Sequence, residues 1–161
     1  MKRLRIYCHD QKFEWWDFRR YTTAIIKIFS NDIFYHQSFI LGNQVYESNA
    51  FKGVVYREGL SSESSLWFEI ALSDKQYYKL KAVYDALVGR PYDYLAIIVG
   101  FFGLKIENSK AFYCSELLNP IFYHIFGIKT REFKTNLTPK DARMILTTIA
   151  QFNDKVVICA K

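Results

Sequence analysis

The chain has 161 residues, half of them apolar, with 18% aromatic and 24% charged side chains and a formal net charge of +6. A chain of this size and make-up buries about two thirds of its unfolded surface, which excludes a disordered or low-complexity segment and points to one domain over residues 1–161. The positive charge would suit an acidic partner, but apart from KRLR at 2–5 and FRRY at 18–21 the basic residues are dispersed, so a solvated surface is expected and no nucleic acid.

Asp10, Lys12 and Glu14 interrupt the basic start of the chain before any apolar run long enough for a secretory signal. The longest apolar run, YLAIIVGFFGLKI at 94–106, contains two glycines and falls short of the roughly 20 residues of a spanning helix. It is expected as core or groove wall. Cysteines at 8, 114 and 159 form neither a disulfide framework nor a zinc spacing. A reducing, cytoplasmic setting without metal or other cofactor is the expectation.

In chain order, short segments rich in β-branched and aromatic residues predict strands at 22–29, 34–41, 44–49, 53–58 and 66–72, an antiparallel meander. The GLSSESS stretch at 59–65 reads as a loop. At Ser73 the period changes. Gln76 completes a capping box, Tyr77, Leu80, Tyr84 and Leu87 share a helical face, and Gly89 with Pro91 ends the helix. A second helix is expected from Ser115-Glu116, with Pro120 kinking or shortening it. Thr138 and Pro139 are the N-cap and first position of a last helix with a stripe of Ile145, Ile149 and Phe152, before a closing strand at 155–161. Strands first and helices later give an α+β class, a sheet, meander-like or barrel-like, packed against helices.

Gly42-Asn43 is a two-residue hairpin loop. If Leu41 pairs with Gln44, then Ser38 pairs with Glu47 and His36 with Asn49, and all four polar residues share a face. His36 and Glu47 become diagonal neighbours about 7–8 Å apart at the backbone, close enough for a carboxylate to orient an imidazole.

Cys114, in AFYCSELLNP at 111–120, sits at a helix start, where backbone N–H groups favour thiolate and can hold an oxyanion. Cys8 and Cys159 lie in strand-like apolar stretches and read as packing residues. Cys8-His9 is no half metal site, because adjacent strand residues point opposite ways. His124, in FYHIF, reads as packed or exposed.

Several stretches resemble one family, the circularly permuted papain-like cysteine hydrolases of the NlpC superfamily, YiiX-type. These are YHQSFIL, VYESNAFKGV, ALVGRPYDYLAI, FYCSELL and LTPKDA, in family order within a match over roughly residues 22–145. The resemblance implies a permuted papain-like (NlpC-type) fold in a bacterial or phage protein. It implies Cys114 as nucleophile, His36 as general base and then acid, and Glu47 as the orienting third member. Tyr92 in GRPYDY, and Ser115 beside the nucleophile, are implied at the substrate or oxyanion. The implied chemistry is amidase, peptidase or thioesterase-type acyl transfer through a thioester, on an acyl or peptide substrate such as a cell-wall peptide or a lipid-like chain. The competing reading is an inactive copy that binds nucleic acid or anionic lipid through a basic, aromatic surface.

Overall fold

The computed structural model describes residues 2–10, 34, 36–59, 65–101, 110–130 and 136–160, with the side chains of 100 and 101 left aside. Six strands, β1 (Lys2–His9), β2 (His36–Leu41), β3 (Gln44–Asn49), β4 (Gly53–Glu58), β5 (Leu66–Leu72) and β6 (Val156–Ala160), form one sheet in the order β4-β3-β2-β1-β5-β6. Every neighbouring pair is antiparallel. The meander expected from sequence holds for β2, β3 and β4. It fails at β1, which inserts between β2 and β5 and parts β4 from its sequence neighbour. Among the described residues no ladder joins β4 to β6. The strand expected at 22–29 lies outside the described residues.

Strand β1 earns its central place through its alternation. Leu4, Ile6 and Cys8 are fully buried on one side, while Arg3 and Arg5 turn to the other and meet Glu69 of β5 at 2.5 and 2.8 Å. Strands β2 and β3 turn through Gly42 at φ +67°, a conformation that glycine adopts without a Cβ penalty.

Helix α1 (Asp74–Leu87) opens with the Ser73–Gln76 capping box and buries Leu80 and Tyr84. Helix α2 (Tyr94–Phe101) follows. A 3-10 turn (Glu116–Leu118) runs directly into α3 (Asn119–Phe126), and α4 (Pro139–Phe152) opens on a second capping box between Thr138 and Asp141. Pro120 falls in the first turn of α3, where its missing N–H is no loss, so the expected kink is absent. On α4 the buried stripe is Ala142 and Leu146, with Ile145 and Ile149 half-buried beside it and Phe152 85% exposed, outside the stripe expected for it.

One face of the sheet, carrying Leu4, Ile6, Phe39, Phe68 and Ile70, packs on Leu80 and Tyr84 of α1, Leu117 and Leu118, Ile121 and Phe122 of α3, and Leu146 of α4. Each such side chain, fully buried, contributes about 1.5–3 kcal/mol. The opposite face holds a smaller cluster of Tyr7, Ile40 and Val45 against Trp67. Helix α2 is the described part of the apolar run at 94–106, expected as core or groove wall. Ala96 is buried, but Tyr94, Leu95 and Ile98 are more than half exposed.

Candidate active site

The hairpin register is the one that Gly42-Asn43 predicts. Leu41 opposes Gln44 and Ser38 opposes Glu47. His36 lies two residues beyond Ser38, hence on the same side of the sheet as Glu47. The diagonal closes the gap: His36 Nε2 stands 3.7 Å from Glu47 Oε2, with the two side chains only 21% and 18% exposed. That separation is an ion pair and too long for a good hydrogen bond.

Cys114 reaches the same place from the other half of the chain. The segment before it is stitched down in steps. Phe112 N–H donates to the Pro91 carbonyl at 3.0 Å and Asp93 N–H to the Phe112 carbonyl at 3.4 Å, while Ser48 Oγ of β3 donates to the Phe112 carbonyl at 2.5 Å. The segment after it is held by Tyr84, whose buried hydroxyl donates to the Leu117 carbonyl at 2.8 Å, and by Ser115, whose hydroxyl donates to the Leu137 carbonyl at 2.6 Å. Glu116 folds back to accept from the Tyr113 N–H at 3.4 Å. Gln37 Nε2 donates to the Pro139 carbonyl at 3.0 Å, so the strand that carries His36 is fastened to the start of α4. The thiol is 3% exposed and in hydrogen-bonding contact with His36.

The electrostatics follow from these placements. Burial pushes the His36 imidazole down, but the contacts with Cys114 and with the Glu47 carboxylate outweigh it and carry the pKa up to about 9. The His36 contact in turn holds the Glu47 carboxyl below its ordinary range, against burial, with help from Arg57 and His9. Tyr92 titrates above its ordinary value because it is buried and because Cys114, Tyr94 and Glu116 lie close. It is therefore a protonated hydroxyl within electrostatic reach of the thiol.

Cys114, His36, Glu47 and Tyr92 are thus brought together. Ser115 follows Cys114 directly, with its side chain fully buried and its hydroxyl donated to the Leu137 carbonyl. Cys8 is buried in the core, as expected; Cys159 is half-exposed on edge strand β6 and is not a core residue. His124 is half-buried with its ring 4.8 Å from that of Tyr123.

Sequence reasoning missed His9. It pairs directly with His36 across β1 and β2, their ring centroids are 5.5 Å apart, and its Nε2 lies 2.7 Å from Ser38 Oγ. Burial, then the charge on His36, pushes its pKa down to about 4, so it stays neutral beside the His36 imidazole. The available signal was the alternation of Leu4, Ile6 and Cys8, which reads as a strand with His9 on the opposite side, but only the pairing with β2 brings it to His36. Arg57 of β4, which bears on both Glu47 and His9, was likewise invisible.

No protein-family model matches the chain, and no curated protein matches it. Among solved structures it is similar to the metalloprotein YiiX from Escherichia coli O157:H7, with a TM-score of 0.54 and 15% identity over 99% of this chain and 96% of that one. At that identity the likeness is one of fold, and it extends over essentially the whole length of both chains: the α+β arrangement of an antiparallel sheet and its helices is YiiX-like.

Proposed function

We propose that the protein is a cysteine-dependent acyl hydrolase or acyltransferase on a permuted papain-like scaffold, with Cys114, His36 and Glu47 as its triad. The observation that carries the reading is His36, bracketed by Cys114 on one side and Glu47 on the other, with an imidazolium stabilised up to about pH 9. Nε2 faces Glu47, which leaves Nδ1 to exchange the proton with Cys114.

With His36 already holding the proton as imidazolium, the Cys114 thiolate attacks the carbonyl carbon of an amide, ester or thioester, and the carbonyl π pair moves onto oxygen. Collapse of the tetrahedral species expels the leaving group, which takes the proton from His36. Water, or another acceptor, then attacks the thioester and gives its proton to His36, and the C–S bond breaks with its electron pair left on sulfur, which restores the thiolate and imidazolium. Tyr92 is suited to donate to the oxyanion because its hydroxyl keeps its proton. The chemistry fits cell-wall peptides and lipid-like acyl groups alike. YiiX is described as a metalloprotein; among the described residues of this chain no group of three or more His, Cys, Asp or Glu is disposed to hold an ion, so these residues do not fit a metal and no step runs through one.

The test is intact-protein mass after brief iodoacetamide treatment across pH 5–9. Cys114 is more buried than Cys159, so accessibility alone makes Cys159 the faster. Preferential labelling of Cys114, slowed by His36→Ala, supports the reading. Labelling at Cys159 first, indifferent to His36, ends it and favours the binding role.

A further inference from the structure

Beside the catalytic turn the surface changes character. Helix α2 contains no charged residue, and Tyr94, Leu95 and Ile98 stand 51, 54 and 58% exposed. Their spacing of three and four puts them on one side of the helix. Phe51, 74% exposed, projects from the β3–β4 turn, and the Tyr94 hydroxyl donates to the Ala50 carbonyl, which fastens that turn to the helix. The Tyr92 ring lies 5.0 Å from that of Tyr94, and Tyr92 is within electrostatic reach of Cys114, so the patch adjoins the Cys114 site. Single exposed apolar residues are ordinary, but a contiguous group of large ones marks a contact surface.

Its rim is cationic. Lys52 follows Phe51 in the turn, and Arg90 sits alongside, its carbonyl accepting from the Val54 N–H at 2.8 Å; both are exposed. Among the described residues of this turn, of β4 and of 88–101, the acidic ones are Asp93, 2% exposed, and Glu58 at the far end of β4. A second copy is a poor occupant, because a two-fold interface sets Lys52 and Arg90 near their own images. Anionic headgroups neutralise the same charges.

We propose that this surface seats the protein on an anionic lipid bilayer, with Phe51, Leu95 and Ile98 entering the boundary between headgroups and acyl chains and Lys52 and Arg90 meeting the headgroup phosphates. No described helix is long and apolar enough to cross a membrane, so the attachment is peripheral. Docking stands by itself; only its use, to turn the Cys114 site toward the bilayer, rests on the acyl-transfer reading.

The experiment is co-flotation of the full chain with vesicles of phosphatidylcholine alone and with roughly a third phosphatidylglycerol. It compares wild type with Leu95→Ser/Ile98→Ser and Lys52→Glu/Arg90→Glu, each checked for an unchanged circular dichroism melt. Wild type is expected to float with the anionic vesicles, the apolar pair to float at least roughly tenfold less, and loss of the cations to weaken binding by roughly fivefold per charge. Absence of wild-type flotation, equal binding by the variants, or equal binding to phosphatidylcholine alone overturns the proposal. So does a dimer in sedimentation that Leu95→Ser/Ile98→Ser dissolves, which would identify the occupant as a second copy. Iodoacetamide labelling of Cys114 in the same samples keeps the two ideas apart: a protein that floats but labels slowly retains the docking surface and loses the acyl-transfer chemistry.

Discussion

At the scale of single residues, the site depends on how two half-buried charges and a thiol share one proton. Cys114→Ser removes the proposed nucleophile and is expected to lower acyl-transfer turnover by about 10³-fold or more while leaving the melt unchanged, read by single-turnover assay on an activated acyl ester. The His36 imidazolium, the proposed donor to the leaving group, persists to about pH 9. The alkaline limb of kcat/KM is therefore expected near 9, and Glu47→Gln, which removes one of the contacts that raise it, is expected to move that limb downward. A limb unmoved by Glu47→Gln would mean that the carboxylate does not bear on the imidazole. His36 and Glu47 were legible as a pair because a two-residue turn fixes strand parity and register. His9 was not, because strand β1 meets β2 only after a long excursion of the chain.

At the scale of elements, the turn that carries Cys114 is held from outside by buried side chains. Tyr84 of α1 stacks within the core, its ring centroid 4.3 Å from Phe39, and its hydroxyl fixes the Leu117 carbonyl. Tyr84→Phe leaves that carbonyl buried without its donor and is expected to cost about 1–3 kcal/mol in urea unfolding, and to slow Cys114 alkylation as the turn loosens. Gly53 shows a tighter constraint. Its φ is +71°, and a Cβ there would stand 2.1 Å from the Arg90 carbonyl oxygen, backbone that cannot swing aside. Gly53→Ala is expected to destabilise by well over the roughly 1 kcal/mol of a left-handed alanine, since it also parts β4 from the strap that carries Tyr92; chemical denaturation against wild type checks this. The two capped helix starts at Ser73 and Thr138 were legible from local chemistry alone, as caps always are when a hydroxyl and an acceptor stand three apart. The 3-10 turn at 116–118 was not, because the shift of Pro120 from helix interior to helix start depends on where α3 begins.

At the scale of the whole molecule, the pH dependence of folding combines the site's groups. His36 has a folded pKa raised from 6.5 to about 9, so its contribution is fully present below 6.5 and is lost as pH rises through 9. His9 has a folded pKa lowered from 6.5 to about 4, so the unfolded chain binds more protons in that window and stability is lost as pH falls from 6.5 toward 4. Glu47, held below its ordinary 4.5, adds a further loss at more acid pH. Stability is expected to crest near pH 6.5, and His9→Phe, if it packs, is expected to flatten the acid side between 6.5 and 4 while leaving the alkaline side in place. Urea midpoints from pH 4 to 9.5 test this; an acid slope unchanged in the variant would remove His9 from the account.

The sequence by itself determined what is local: the alternation that makes strands, the hydroxyl caps, the Gly42-Asn43 turn and the parity that sets His36, Ser38 and Glu47 on one face. These follow from steric and hydrogen-bonding rules that act within a few residues. Only the tertiary structure decided that β1 splits the meander, that His9 stands against His36, that the Ser115 hydroxyl is spent on Leu137, and that α2 shows Leu95 and Ile98 to the outside. Each of these depends on which distant segments pack together, and packing is set by the summed burial of many side chains across the chain, which no short stretch encodes.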